Sequence, residues 1–209
     1  MPIRIPNRLF ARHYDRMAER YEQEMQPRRH AFLEQLSGTV VEIGPGTGAN
    51  LPHLPQDVQW IGIEPNEHMH PLLREKAAAL GREVDLRQLS AGNLPLGDAS
   101  VDAVLSTLVL CSVPDVAQAL TEIRRILKPG GRFLFWEHVI APTGLALRAL
   151  QHLVCPLHRV IADGCNTQRD LARDIRCAGF ASVELEQIRI PKAAGPVWIR
   201  PHIIGVARC

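Results

Sequence analysis

The segment Val41–Asn50, "VEIGPGTGAN", passes from an apolar strand pattern into glycines at every second position, Gly44, Gly46 and Gly48. Glycine tolerates positive φ and lets a ligand approach the main chain with no Cβ in the way. Between a strand and a helix, such a turn presents free N–H groups to a bound molecule. The residues beyond the turn restrict the fold further. "VQWIGIE" reads as a strand, and "NEHMHPLLREKAAAL" as a helix with Asn66 as N-cap and Gly81 as stop. "EVDLRQL" and "VDAVLSTLVL" read as strands, "DVAQALTEIRRIL" as a helix ended by "KPGG", and "RFLFWEHVI" as a strand. Strands alternating with helices predict an α/β fold built on a doubly wound, mostly parallel sheet. Right-handed crossovers then put the ligand loops at the carboxyl ends of the strands.

The flanking segments extend this plan. Leu9, Phe10, Tyr14, Met17 and Tyr21 recur at three- and four-residue spacing, which predicts an amphipathic helix over 7–25. "HAFLEQLSG" predicts a second, short helix stopped by Gly38, and "ANLPHL" another short one after the glycines. From 141 to 170 the pattern becomes a helical insertion suited to a lid, with a helix over Thr143–Val160. A helix over Gln168–Ala178 follows, with Thr167 and Asp170 spaced as a capping box. The last strands, "SVELEQIRI" and "WIRPHIIGVAR", are joined too closely for a parallel crossover and predict an antiparallel pair. A length of 209 residues fits a single domain over 1–209.

Charge and composition exclude several classes. A net charge of +2 with scattered basic residues gives no footprint for nucleic acid. No run of about 18 apolar residues predicts a membrane span, and "MPIRIPNRLFARHYDR" lacks the apolar core of a signal peptide. A cytoplasmic protein is expected. Five cysteines without a CxxC pair predict reduced thiols and no disulfide framework.

The glycine turn leaves two cofactor chemistries open. Gly44, Gly46 and Ala49 satisfy G-x-G-x-x-G/A, the dinucleotide spacing, but the same turn suits a sulfonium cofactor or no ligand at all. Glu64, about 20 residues beyond Gly44, can accept hydrogen bonds from the ribose of either cofactor. Otherwise it is a surface acid near a helix start.

Four segments, "VEIGPGTGAN", "IGIEPN", "LSAGNLPLGDASVDAVLSTLVLCSV" and "EIRRILKPGGRFLFWEH", together resemble the class I S-adenosylmethionine-dependent methyltransferases. The resemblance runs from about Tyr14 to the C-terminus, and "LPLGDASVDAV" followed by "LKPGG" is more specific than the glycines. It implies a seven-stranded Rossmann-like sheet with a reversed last strand. It also implies S-adenosyl-L-methionine bound across the carboxyl ends of the first and fourth strands. On that resemblance Gly44, Gly46 and Gly48 face the methionine part and Glu64 the ribose. Ser90 to Asn93 pass near adenine, and Thr107 and Leu108 lie beside the sulfonium. Many relatives carry aspartate where this chain has Ser90, and main-chain groups of Ala91 are the alternative contact. Glu42 and Asn50, at the two ends of the glycine turn, and Pro65, after Glu64, complete the expected cofactor set.

A narrower resemblance rests on "TLVLCSV", "EHV", "DGCNTQR" and "RPHIIG", which are similar to the methyltransferase-like thiol S-methyltransferases. These methylate hydrogen sulfide and small alkyl thiols. Animal members carry an apolar N-terminal membrane anchor. This chain begins almost directly at the catalytic domain, so a soluble form is implied. The implied acceptor is a small thiol. N- or C-methylation of a lipid or quinone, non-catalytic cofactor binding, and more remotely a nicotinamide dehydrogenase are the other readings. The catalytic candidates are Glu137, His138, Asp163, Cys165 and Asn166. His138 serves as base or orienter of the thiol. His202 reads as a core histidine, and Tyr14 and Tyr21 either roof the pocket or pack their helix. In "HLVCPLH", His152, Cys155 and His158 are three apart, but Pro156 is expected to break the helix and no CxxC is present, so no metal site is expected. Convergence of Cys111, Cys155 and Cys165 on a soft metalloid is the variant considered. Oligomeric state is left open.

Overall fold

A computed structural model of the chain describes residues 7–209, so the first six residues of the segment tested for a leader lie outside the described residues. The elements run α1 (Asn7–Leu33), β1 (Thr39–Ile43), β2 (Gln59–Ile63), α2 (His70–Ala79), β3 (Asp85–Arg87) and β4 (Val101–Thr107). They continue α3 (Val116–Ile126), β5 (Leu127–His138), α4 (Leu145–Ile161), α5 (Leu171–Cys177), β6 (Ser182–Arg189) and β7 (Pro201–Arg208). Among the described residues the strands form one seven-stranded sheet in the order β3-β2-β1-β4-β5-β7-β6. Pairings from β3 to β5 are parallel, while β7 runs antiparallel to both β5 and β6. The expected doubly wound sheet with a reversed last strand is therefore present.

The two-residue period of the central strands divides the core. Val41 and Ile43 of β1, Val104 of β4 and Phe133 and Phe135 of β5 bury one face against Leu120 and Ile123 of α3 and Leu171 and Ile175 of α5. Val40, Ala103, Leu105 and Leu134 point to the other face, against Leu73 and Ala77 of α2 and Leu33 at the end of α1. Strands covered on both sides need apolar residues on both, hence their nearly continuous hydrophobic runs.

Several local expectations are corrected. The two helices expected before β1 are one, because Pro27 lies inside α1 and does not divide it. Asn66 does not cap α2. It accepts from the His68 N–H at 3.1 Å in the preceding turn, and α2 starts at His70 with proline at its second position. Pro156 does not break α4, which continues to Ile161. Proline removes one intrahelical hydrogen bond, and the carbonyl so released, that of His152, is approached by Gln168 Nε2 at 3.5 Å. Thr167 is no cap either. Its hydroxyl donates to the Gln151 carbonyl at 3.2 Å, and Asp170 alone caps α5 by accepting from Arg173 N–H at 3.1 Å.

One buried polar cluster fixes α1 and the glycine turn to the sheet. The Asn50 amide donates to Glu42 Oε1 at 2.7 Å and to Thr107 Oγ1 at 2.8 Å, while its oxygen accepts from Arg29 of α1. Glu42 Oε2 accepts from Trp60 Nε1 at 2.9 Å. Burial raises the Glu42 pKa to about 7 against these hydrogen bonds. Thr47 in the turn donates to Asp15 of α1 at 2.5 Å.

Candidate active site

A cavity of about 590 Å³ opens at the carboxyl ends of β1, β2, β4 and β5. At one end stands the glycine turn. Gly44, Gly46 and Gly48 have φ of 61°, 56° and 81°, so all three need the left-handed region that glycine enters freely. At Gly46 a Cβ would stand 3.9 Å from Tyr14 Cε1, inside the cavity. Glu64 closes β2 and is buried. Its carboxylate accepts from Gly46 N–H at 3.0 Å and Asn66 N–H at 2.8 Å, while burial raises its pKa.

The expected cofactor residues fall into two layers. Gly44, Gly46, Glu64, Pro65, Ser90, Ala91 and Leu108 line the cavity. Glu42, Gly48, Asn50 and Thr107 stand outside its lining. Glu42, Asn50 and Thr107 form the hydrogen-bonded cluster just described, and a Cβ at Gly48 would come within 2.8 Å of Leu51.

The other end carries histidine and cysteine. His138, the last residue of β5, pairs in register with His202 of β7, their rings 6.1 Å apart. His158 of α4 meets His138 edge-on at 6.2 Å. Cys165 Sγ lies 3.2 Å from Cys111 Sγ, and 3.4 and 3.6 Å from the two ring nitrogens of His138. Near-equal distances put the sulfur between the nitrogens and in line with neither. The Cys165 thiol donates to Cys111, which lowers the Cys111 pKa and, with burial, raises that of Cys165. Burial lowers the His202 pKa to about 3 and lowers that of His158 as well, so both imidazoles are neutral at pH 7. His202 Nδ1 faces the Arg200 carbonyl at 3.0 Å, so Nδ1 carries the proton and Nε2 keeps its lone pair.

Three of the catalytic candidates, His138, Asp163 and Cys165, line the cavity, and Asp163 has a φ of 45°. Glu137 and Asn166 do not. Asn166 holds the loop: its N–H donates to the Cys111 carbonyl at 3.0 Å and its side-chain oxygen accepts from Cys155 Sγ at 3.3 Å. Cys155 is thus hydrogen-bonded to Asn166, and the ligand atoms that lie within 4.8 Å of one another are those of Cys111, His138 and Cys165. Glu137 is fully buried and accepts from Ser106 Oγ at 2.6 Å and Val109 N–H at 3.2 Å. It clamps the turn in which Leu108 sits at φ 59°, a conformation that costs a non-glycine residue about 1–2 kcal/mol.

Charge decides between the cofactors left open by the glycines. The lining carries Glu22, Glu64, Asp115 and Asp163 and, among the described residues, no lysine or arginine. A pyrophosphate would meet carboxylates with no cation in return, whereas a sulfonium meets opposite charge. The methyltransferase domain family matches residues 41–135. Over 201 residues the chain is 35% identical to the rat thiol S-methyltransferase TMT1B, covering 91% of this chain and 81% of the relative. It is 34% identical to the human thiol S-methyltransferase TMT1A, covering 89% and 80%. The chain belongs to this methyltransferase family. The fold agrees: an S-adenosylmethionine-dependent methyltransferase from Thermotoga maritima superposes with a TM-score of 0.69 at 24% identity, covering 96% of both chains.

As a member of this methyltransferase family the chain uses S-adenosylmethionine, and the cavity fits it. At Gly46 no side chain fills the space toward Tyr14, the Glu64 carboxylate lines the cavity beside it, and Tyr21 Oη is buried without a protein hydrogen-bond partner. Bound there, the cofactor supplies an electrophilic methyl group. Sequence reasoning weighed Cys111 only as part of a metalloid variant and His158 only as part of a zinc motif, yet both line the cavity. The three-residue spacing around His158 said nothing of β5, which brings it to His138. Tyr14 and Tyr21 line the cavity too, and Tyr21 also stacks on His202 at 5.9 Å.

Glu137 makes the first test. Burial, then the neighbouring Cys111 sulfur, push its pKa up to about 8. The folded chain therefore binds a proton at Glu137 that the unfolded chain has released above about pH 4.3, so stability falls as pH rises toward 8. Glu137→Gln lacks that titration, and its melting temperature should drop less than the parent's between pH 6 and pH 9. Parallel curves in thermal unfolding would show that Glu137 is ionised throughout.

Proposed function

We propose that the protein transfers the methyl group of S-adenosylmethionine to a small thiol in a cytoplasmic, reducing setting. The observation that carries this reading is one apolar-walled cavity with the bare glycine turn at one end and neutral histidines with two thiols at the other. Family membership supports it, since the relatives' names specify thiol S-methylation. The partner is a small molecule and not a nucleic acid.

The main chain at Gly44 and Gly46 holds the methionine part, Glu64 the ribose hydroxyls, and Ser90 with Ala91 the adenine. Pro65 and Leu108 wall the cofactor. Glu42, Gly48, Asn50 and Thr107 keep the turn in shape. The acceptor sulfur sits beside His138 and Cys165, with Asp163 in the same cavity wall and Glu137 and Asn166 holding the loops. His138 favours the thiolate, since a free thiol has a pKa of about 8.5 and needs modest help near pH 7. Alignment of the two reactants supplies about 7–11 kcal/mol at best. Thiolate and sulfonium become two neutral products, so a water-poor cavity draws the charged pair together. Segment 141–170 acts as a lid within a single domain, since the end of α4 forms part of the cavity wall.

Incubation with the cofactor and a panel of thiols, amines and quinones tests the acceptor. The methyl thioether should form, detected by product mass, and methylation confined to amines or quinones would reject the thiol. His138→Ala should lose tenfold or more in kcat/KM near pH 6.5, and recover as pH approaches the thiol's own pKa of about 8.5. A constant deficit across pH would remove His138 as the base that ionises the thiol. Gly46→Val should abolish cofactor binding by calorimetry, because a β-branched residue suits neither φ +56° nor the occupied space. Normal affinity in the folded variant would place the cofactor elsewhere.

A further inference from the structure

Cys111, His138 and Cys165 are all buried, and each presents a soft or borderline ligand atom. The three atoms lie within 4.8 Å of one another. They come from three separate segments, the turn after β4, the end of β5 and the loop after α4, so no local spacing brings them together. The Asn166 N–H bond to the Cys111 carbonyl ties two of these segments. All three residues belong to the cavity lining.

The distances discriminate between uses of the pair. A disulfide needs the sulfurs at about 2.05 Å, more than 1 Å closer than the observed 3.2 Å. Two thiolates on a tetrahedral zinc, with Zn–S about 2.3 Å, stand about 3.7 Å apart, half an ångström farther than observed. The observed imidazole-to-sulfur contacts of 3.4 and 3.6 Å are close to the edge of the same tetrahedron. Two cysteines and one histidine with a fourth position open are a donor set for a d¹⁰ cation that binds substrate.

We propose that Cys111, Cys165 and His138 form a three-ligand site for a soft d¹⁰ cation, with Zn²⁺ as its type. Its fourth position opens on the cavity and takes the acceptor's sulfur. This rests on the thiol reading of the cavity and specifies how His138 acts there: it coordinates instead of taking the proton. Coordination by Cys111 and Cys165 releases their protons. The acceptor thiol releases its own proton to water and binds as thiolate. Its sulfur lone pair then forms the bond to the methyl carbon while the carbon–sulfonium bond breaks, the electron pair remaining on S-adenosylhomocysteine. The thioether product is neutral, a weaker ligand than a thiolate, and leaves.

The test adds Co²⁺ alone to the reduced, metal-free full chain and follows its absorption. A sulfur-to-cobalt charge-transfer band with tetrahedral ligand-field bands should saturate at one ion per chain. Cys111→Ser and Cys165→Ser should each lose charge-transfer intensity while still binding S-adenosylhomocysteine by calorimetry, which controls for folding. The exposed Cys177→Ser should leave the bands intact. A small alkyl thiol should shift the ligand-field bands, and metal-free chain should lose at least tenfold in thiol methylation. Absence of the bands in folded chain, their survival in both serine variants, or loss of two titratable thiols to peroxide with no cobalt bands would each overturn the site. Undiminished thiol methylation by metal-free chain would overturn it too while leaving the thiol reading standing. A cobalt site that binds thiol, in a chain that methylates only amines or quinones, would uphold the site and reject the thiol reading.

Discussion

The buried carboxyl of Glu137 governs how the two ends of the cavity meet. Through Ser106 and Val109 it holds the turn that follows β4. That turn places both Leu108 and Cys111 in the cavity lining. Leu108 sits in the left-handed region, which a leucine keeps only when its surroundings enforce it. A carboxyl group buried without solvent and accepting from the turn supplies that enforcement. Its raised pKa leaves it protonated at neutral pH, so it holds the turn without placing a full negative charge beside Cys111.

A second layer of polar residues does the same for the glycine turn. Asn50 joins Glu42 of β1, Thr107 of β4 and Arg29 of α1. A buried amide with both ends satisfied is stabilising, and one left unpaired costs about 1–3 kcal/mol. Glu42 and Asn50 therefore shape the cavity from behind. Around the glycine turn itself, several of the residues that line the space are small or apolar: Gly44, Gly46, Pro65, Ser90, Ala91 and Leu108.

Much of this was legible in the sequence, for physical reasons that also mark where legibility stops. Strands buried on both faces leave continuous apolar runs, so β1, β2, β4 and β5 were readable, and Gly44, Gly46 and Glu64 followed from the strand ends. The antiparallel pairing of β6 and β7 was readable from the short connection between them, and the reversal of β7 from the family resemblance. Local rules failed where a tertiary contact compensated the penalty they count. Pro156 stays helical in α4, where Gln168 comes near the released carbonyl. The expected caps at Asn66 and Thr167 failed because those side chains found nearer partners. The cluster of Cys111, His138 and Cys165 was invisible as a set, since its members are 27 residues apart at the nearest.

The charge pattern of the cavity connects these features to chemistry. Four carboxylate residues and, among the described residues, no lysine or arginine face a space that is otherwise largely apolar. Such a lining favours a cationic ligand and disfavours a free anion. A thiolate can enter only if some positive charge accompanies it, and the cofactor's sulfonium is one such charge. With His158 and His202 held neutral by burial, the protein adds no cation from these two side chains. An acceptor in this cavity is therefore most stable as a thiolate when the cofactor is already in place, so cofactor binding should precede thiol ionisation. A cation held by Cys111 and Cys165 as thiolates, with neutral His138, would leave the cluster near neutrality. It would activate the acceptor by direct coordination to sulfur, while long-range attraction would still come from the sulfonium.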